Sequence, residues 1–216
     1  MSVSKTIVIS CAGMGTRLGI GSTKALIDID GKPLIIRQLE LLKDFDDIRI
    51  VVGYQMEKVI EVVNSYRKDI LFVFNHNYRN TGTGGSFSLA IKHAADMVVS
   101  LDGDLLVHPD DLMRVLNSDK ECVCGAIPCT EDPMLMKTLT QNGQIYGVGF
   151  SREEGEYEWT GLAQVKTARL TPGDHHVCDM MVPLLPLPME LIRTKEIDTM
   201  SDYEHAVAWV KSGYAD

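Results

Sequence analysis

A glycine-rich segment directly after an apolar run constrains this chain more than any other feature. Residues 6–10, Thr-Ile-Val-Ile-Ser, have the length and β-branched content of a buried first strand. The strand is followed by residues 11–26, which contain four glycines and two cations, Arg17 and Lys24. Glycines let backbone N–H groups approach an anion closely, and the two cations add positive charge beside them. The segment therefore predicts a polyphosphate-binding loop at the end of a strand.

The spacing within this loop distinguishes three classes of phosphate loop. A Walker A loop requires Gly-Lys-Ser/Thr, but Lys24 follows a threonine and precedes an alanine. A dinucleotide-binding loop requires its third glycine at the position of Leu18. A nucleotidyltransferase loop has Gly-x-Gly-Thr-Arg and then a lysine before a small apolar pair, and residues 13–17 and 24–26 fit that pattern.

Composition and charge indicate a globular α/β protein and argue against several kinds of binding partner. A chain of 216 residues with 45% hydrophobic and 24% charged residues suits a single α/β domain with a sizeable core. The net charge of −9 argues against broad binding to nucleic acid or anionic membranes. No apolar run reaches the ~18–20 residues of a membrane span, and we expect no signal segment before the first strand. The five cysteines are an odd number, which favours reduced thiols and a cytoplasmic location.

The first 130 residues alternate between strand and helix patterns. Strands are expected at 48–52, 70–74, 97–101 and 122–127, and helices at 33–43, 56–66, 86–95 and 109–116, the third capped by Ser86. This alternation predicts a mostly parallel, Rossmann-like sheet with helices on both faces. Ligands of such sheets bind beyond the carboxyl ends of the strands.

The pattern becomes β-rich after residue 130. A hairpin is expected at 135–149 around the Asn142-Gly143 turn, further strands at 158–165 and 177–185, and a closing helix at 201–211. We therefore expect one domain over residues 1–216, with a nucleotide-binding core at 1–130. Residues 131–200 would form a β-rich substrate lid, and 201–216 the closing segment.

Two carboxylates stand at the expected end of the fourth strand, on the same sheet edge as the glycine loop. Asp102 and Asp104 are two residues apart, so both can face a metal above the sheet, and Mg²⁺ prefers such oxygen ligands. Asp104 is the expected direct ligand, while Asp102 either shares the metal or contacts the nucleotide ribose. A second carboxylate is expected from Asp179 or Asp198, although Asp198 would also suit a helix cap.

Two further segments carry candidate binding residues. Gly82, Thr83 and Gly84 precede an expected helix and offer backbone donors to the edge of a base, unless they form an ordinary loop. Tyr157 and Trp159 share one face of an expected strand that continues into Thr160 and Gly161. The aromatic pair suits a sugar, a quaternary ammonium group or plain packing.

These residues together resemble the sugar-nucleotide and alcohol-phosphate nucleotidyltransferases, which share a GT-A-like fold. Residues 13–18, 24, 82–84, 104, 160–162 and 197–203 carry the resemblance over nearly the whole chain. Two positions depart from the family pattern: Cys11 stands at one of a usual pair of alanines, and Thr23 replaces a common proline.

The resemblance implies roles for individual residues. Arg17 and Lys24 would be catalytic, Asp104 with Asp179 or Asp198 would bind Mg²⁺, and Tyr157, Trp159, Thr160 and Gly161 would contact the substrate. The nucleotide would contact the loop residues and the end of the fourth strand: Ala12, Gly13, Met14, Gly15, Thr16, Gly82, Thr83, Gly84 and Asp102.

The resemblance is strongest to compact, CTP-dependent cytidylyltransferases that act on phosphocholine, aminoethylphosphonate or inositol phosphate. It implies that an NTP and a small phosphate or phosphonate react to release pyrophosphate, and that the product is an activated precursor for surface polysaccharide or lipid decoration. A homodimer is compatible with it, whereas nucleic acid and membrane are not expected partners.

Three alternatives stay open at this point. The chain is also similar to MobA-like guanylyltransferases. A GT-A glycosyltransferase would use Asp102-Gly103-Asp104 as its metal motif, although it would have little need for Arg17 and Lys24. A non-catalytic regulatory subunit would keep the fold but lose a metal ligand or the loop lysine, and both are present here.

Overall fold

A computed structural model describes residues 3–15 and 21–215. The strands are β1 (Lys5–Cys11), β2 (Ile48–Val52), β3 (Leu71–Phe74), β4 (Met97–Asp102), β5 (Leu105–Val107), β6 (Cys122–Ala126), β7 (Leu135–Gln141), β8 (Gln144–Ser151), β9 (Tyr157–Lys166), β10 (Leu187–Leu191) and β11 (Thr194–Glu196). The helices are α1 (Leu34–Leu41), α2 (Met56–Tyr66), α3 (Thr83–Ala90), α4 (Pro109–Leu116), α5 (Val177–Met181) and α6 (Met200–Lys211).

Nine strands of the described residues form one sheet in the order β3-β2-β1-β4-β9-β6-β10-β8-β7. The strands of the first half, β3 to β1 and β4, pair in parallel, whereas β9 is antiparallel to both of its neighbours β4 and β6. The predicted α/β class is confirmed, but the sheet as a whole is mixed. The β-rich second half extends this sheet, and β9 lies in its middle. Its residues are therefore buried on both faces of the sheet.

Helices cover both faces of the sheet, as predicted. Alternate residues of β1 point to opposite faces: Ile7 and Ile9 pack with α1, α2 and α4, while Val8 packs with α3 and α5. This alternation explains why the first strand reads as a continuous apolar run.

A smaller sheet joins the closing helix to the site edge. In it β11 pairs antiparallel with β5, which places Glu196 opposite Leu105. Buried Ile197 and Trp209 pack with Leu106 in a separate hydrophobic cluster. The sequence patterns predicted neither β5 nor β11, and this pairing brings the residues after β11 next to the end of β4.

Two predictions about local structure are wrong. The apolar run at 177–185 is a helix, α5, followed by a 3-10 turn at Val182–Leu184, because the carboxylate of Asp179 caps the backbone N–H of His176. The third helix begins at Thr83 instead of Ser86. The hydroxyl of Ser86 is buried inside that helix and accepts a hydrogen bond from Asn75.

The other predicted helices and strands lie close to their expected positions. The hairpin turn is confirmed, since both Asn142 and Gly143 have positive φ, 51° and 77°. In the parts of the chain that the structure describes, no helix combines the length and the apolar character that a membrane crossing needs.

Candidate active site

The glycine loop and the two aspartates meet at one edge of the sheet. In the β1–β4 register Ser10 lies beside Asp102, and the N–H of Gly103 donates to the carbonyl of Ser10 over 3.0 Å. A Cβ on Gly103 would lie 2.6 Å from Sγ of Cys11, so this close approach requires a glycine. The turn after β4 is therefore held directly against the start of the loop.

Three carboxylates of the described residues converge at this edge. One oxygen from each of Asp104, Glu196 and Asp198 lies within 4.8 Å of the others. Glu196 ends β11 and Asp198 follows two residues later, while Ile197 between them is fully buried in the opposite direction. Glu196 was not predicted; its two-residue spacing from Asp198 was the available signal, because it places both side chains on one face of an extended segment.

Lys24 reaches into this carboxylate cluster. Its ammonium donates to Oδ2 of Asp104 over 2.8 Å and to Oδ1 of Asp198. The Lys24 side chain is only 11% exposed. Burial on its own would lower the pKa of Lys24, but the two aspartates outweigh this effect and raise the pKa above its ordinary value. Lys24 is therefore firmly cationic and balances part of the cluster's charge.

Two further carboxyl groups at the site ionise less readily than usual. Burial, and secondarily the charge of Asp104, raises the pKa of Asp102 to about 7. Burial and then the neighbouring carboxylates, Asp104 first, raise the pKa of Glu196 to about 9. Oδ1 of Asp102 is buried and has no hydrogen-bond partner among the described residues. Such a group of oxygens suits a divalent cation.

Two cavities in the described part of the chain share this edge. The larger measures about 390 Å³ and the smaller about 210 Å³, and Ser10, Gly13 and Asp104 line both. The smaller cavity is also lined by Gly15, Thr23 and Lys24 and adjoins the glycine loop. The two cavities can therefore hold two parts of one ligand, or two reactants, on either side of Asp104.

The predicted loop residues fall into three groups. Ala12 lines the larger cavity, and Gly15, with φ of 60°, lines the smaller one. Met14 is 38% exposed and lines neither. Thr16 and Arg17 lie outside the described residues, so their expected contacts stay predictions.

The second glycine segment has a structural partner of its own. The N–H groups of Gly82 and Gly84 donate to the carbonyls of Asp174 and His175 over 2.7 and 3.0 Å. A Cβ on Gly82 would lie 1.8 Å from the His175 carbonyl oxygen. These two amides are thus already engaged by the chain, and Gly82 and Thr83, but not Gly84, line the larger cavity.

Three of the four candidate substrate residues on β9 line the larger cavity. Trp159, Thr160 and Gly161 line the larger cavity, whereas Tyr157 packs into the core on one face of the sheet. Trp159 is itself only 9% exposed and meets Phe150 edge to face, with ring centroids 5.2 Å apart. Trp159 therefore offers a small part of its surface to a ligand.

The wall of the larger cavity contains polar residues that sequence reasoning missed. Asp132, Arg152 and Glu158 line it. The Glu158 carboxylate accepts hydrogen bonds from the N–H of Cys129 at 2.9 Å and from the hydroxyl of Thr130. Glu158 is the second residue of β9 and stands between Tyr157 and Trp159, and a carboxylate between two aromatic residues was the available signal for it.

Asp179 lies apart from the carboxylate cluster. It is exposed, and its carboxylate accepts the N–H of His176 at 2.9 Å at the start of α5. The expectation that it supplies a metal ligand assumed a strand at 177–185, where an isolated charge would need a partner. Because the segment is a helix, capping accounts for this carboxylate.

Known proteins resemble this chain in sequence and in fold. The family model described as MobA-like NTP transferase domain matches residues 7–170. The bifunctional protein GlmU of Aliarcobacter butzleri (strain RM4018) is 36% identical over 155 residues, which are 71% of this chain and 36% of that protein. The matched part is thus about a third of the length of such curated relatives.

Solved structures share the fold at low sequence identity. A proposed glucose-1-phosphate thymidylyltransferase from Bacillus anthracis has a TM-score of 0.73 at 17% identity, covering 96% of each chain. The CTP:phosphocholine cytidylyltransferase of Streptococcus pneumoniae has a TM-score of 0.71 at 19% identity, covering 96% of this chain and 100% of the other. Since the family model spans most of the chain, this protein belongs to the family of MobA-like NTP transferase domains.

Proposed function

We propose that this protein transfers a cytidylyl group from CTP to a small phosphate or phosphonate, with release of pyrophosphate. The observation that carries the proposal is the meeting of the glycine loop, Lys24 and three carboxylates between two adjoining cavities. A polyphosphate in the smaller cavity would lie against the backbone of Gly13 and Gly15 and within reach of Lys24.

The proposed reaction needs little acid–base chemistry from the protein. An oxygen of the acceptor attacks the α-phosphorus, a new P–O bond forms, and the bond from that phosphorus to the pyrophosphate oxygen breaks. The acceptor phosphate is already ionised at neutral pH, so no general base is required. Catalysis then consists of positioning the two reactants and neutralising charge on the leaving group. Lys24 serves this purpose, and so would Arg17.

The donor set at the site fits a magnesium ion. Asp104, Glu196 and Asp198 would hold it. Oδ1 of Asp102, which has no hydrogen-bond partner in the described part of the chain, lies buried at the same edge. When bound, Mg²⁺ supplies charge stabilisation to the phosphate oxygens.

The choice of CTP is the finer part of the proposal. It is supported by the fold shared with the pneumococcal CTP:phosphocholine enzyme over 96% of this chain. The structural likeness to a thymidylyltransferase of Bacillus anthracis favours another base, so the nucleotide must be tested directly.

A panel assay tests the proposal. Pyrophosphate release would be measured with each of the four NTPs and Mg²⁺, against phosphocholine, aminoethylphosphonate, inositol 1-phosphate and glucose 1-phosphate. We expect release with CTP and at least one of the first three acceptors. Release with GTP alone would favour the guanylyltransferase alternative. If no NTP yields pyrophosphate while a sugar nucleotide is consumed, the glycosyltransferase alternative stands instead.

A further inference from the structure

The ammonium of Lys24 stands among the oxygens that would hold a metal ion. It contacts Asp104 at 2.8 Å and Asp198, and these two carboxylates lie with Glu196 in a cluster whose donor atoms are within 4.8 Å of one another. A divalent cation bound by the same oxygens would lie within a few ångströms of the ammonium, among largely buried side chains. Like charges at such a distance repel strongly, so the two cations exclude each other.

The side chain of Lys24 borders a cavity that it can enter by a change of rotamer, without movement of the backbone. Lys24 begins a 3-10 turn in which the N–H of Leu26 bonds to Thr23 and the N–H of Ile27 bonds to Lys24, and Ala25 is buried. The smaller cavity, about 210 Å³, is lined by Lys24 itself together with Gly13 and Gly15. A rotation of the side chain alone can therefore move the ammonium from the carboxylates into the space beside the glycine loop.

We propose that Lys24 acts as a counter-ion covalently attached to the chain. In the free protein its ammonium occupies the position of the metal ion, and it moves away when nucleotide phosphates bind. The proposal rests on the proposed function, because those phosphates draw the ammonium away from Asp104 and Asp198. Nucleotide and divalent cation then bind with positive coupling, since each favours the state in which Lys24 has moved. The free protein, by contrast, binds a divalent cation weakly.

Binding of Mn²⁺ alone tests this directly. Free Mn²⁺ would be measured by electron paramagnetic resonance during titration of the wild type, of Lys24→Met and of Lys24→Gln. Methionine removes the charge but keeps an unbranched side chain, and glutamine keeps a hydrogen-bond donor. We expect both variants to bind Mn²⁺ about tenfold more tightly than the wild type, or better, because the competing cation is gone.

Two controls locate the effect. Lys32→Met removes the same charge from an exposed pair with Glu40 and should leave Mn²⁺ affinity unchanged. The double variant Lys24→Met with Asp104→Asn should lose the tight binding, which would place the ion at the cluster. Thermal unfolding with and without Mn²⁺ reports whether each variant is folded, and the ion should raise the Tm of Lys24→Met more than that of the wild type.

The outcomes separate this inference from the proposed function. Equal Mn²⁺ affinity in the wild type and the folded Lys24 variants would overturn the counter-ion role, as would no binding by any of them. Pyrophosphate release by the wild type in the panel assay is independent of either result. Its absence would instead reject the proposed reaction, whatever Mn²⁺ does.

Discussion

A Cβ atom on Gly161 would lie 2.1 Å from Oδ2 of Asp102, so the carboxylate occupies space that any other residue would need. Gly161 also has φ of 77°, which disfavours a side chain. We expect Gly161→Ala to displace Asp102, reduce pyrophosphate release by about 100-fold and lower the free energy of unfolding by about 1–3 kcal/mol. Urea denaturation and the release assay measure the two effects.

Gly149→Ala is the matched control for that substitution. A Cβ at Gly149 meets no atom within 4 Å. It should therefore change stability by no more than about 1 kcal/mol and leave activity intact. Wild-type activity in Gly161→Ala would show that the position of Asp102 is unimportant.

Gln38 fixes the turn that carries the aspartates. Its buried Nε2 donates to the carbonyls of Asp102 and Leu105, each over 2.8 Å. We expect Gln38→Leu to release this turn and to raise the Mg²⁺ concentration needed for half-maximal pyrophosphate release by about tenfold, as loss of an outer-shell partner does. The measurement is a Mg²⁺ titration of initial rates.

Gln164 offers a control for the loss of stability alone. It is equally buried and its Nε2 donates to the carbonyls of Ser118 and Lys120, away from the carboxylate cluster. Gln164→Leu should lower the Tm comparably but leave the Mg²⁺ titration unchanged. If both variants shift the titration alike, Gln38 has no positioning role.

Substitution of Asp104 or Lys24 should reduce activity more than substitution of Glu196. Asp104→Ala and Lys24→Ala should abolish pyrophosphate release while the far-ultraviolet circular dichroism stays that of the folded protein. Glu196→Gln should retain activity but need about tenfold more Mg²⁺, because one oxygen donor is weakened. Glu190→Gln, which alters a half-exposed pair with Arg114, is the control. Full activity in either alanine variant would contradict the proposed reaction.

Local chemistry made much of the site predictable. The apolar run of β1, the glycines after it and the Asp102-Gly103-Asp104 turn are contiguous in sequence, and parallel strands bring their carboxyl ends to one edge. Glu196 was missed because β5 and β11 have three residues each, too short for a periodic pattern. Their pairing joins residues far apart in the chain, which spacing cannot reveal.

The segments at 177–185 and 82–84 show a further limit of the sequence patterns. The apolar run at 177–185 suits a buried helix as well as a strand, and the deciding cap between Asp179 and His176 is a three-dimensional contact. The sequence presents Gly82 and Gly84 as donors to a ligand, and that role stays a prediction. Their backbone N–H groups donate to the carbonyls of residues 174 and 175, more than 90 positions away in the chain. The sequence around the glycines contains no signal for this contact.

Stability should fall in acid partly through Asp111. Burial opposes ionisation of this carboxyl, but hydrogen bonds from the backbone and side chain of Arg193, each 2.9 Å, outweigh it and hold its pKa below the ordinary value. A carboxylate whose pKa is lower in the folded state stabilises the protein above its unfolded pKa of about 3.9 and loses that contribution as pH falls through the folded value.

Asp111→Asn should therefore lower the free energy of unfolding by about 1–3 kcal/mol above about pH 5, because hydrogen bonds to a charged group are lost. The difference from the wild type should shrink below about pH 4, where the unfolded chain binds a proton at Asp111, and should vanish once pH falls below the lower pKa of the folded state. Urea denaturation across this range measures it. Asp110→Asn, at the exposed neighbouring position of α4, should show a much smaller difference at every pH. A constant penalty for Asp111→Asn down to the lowest pH would mean that packing, and not the charge of Asp111, accounts for its effect.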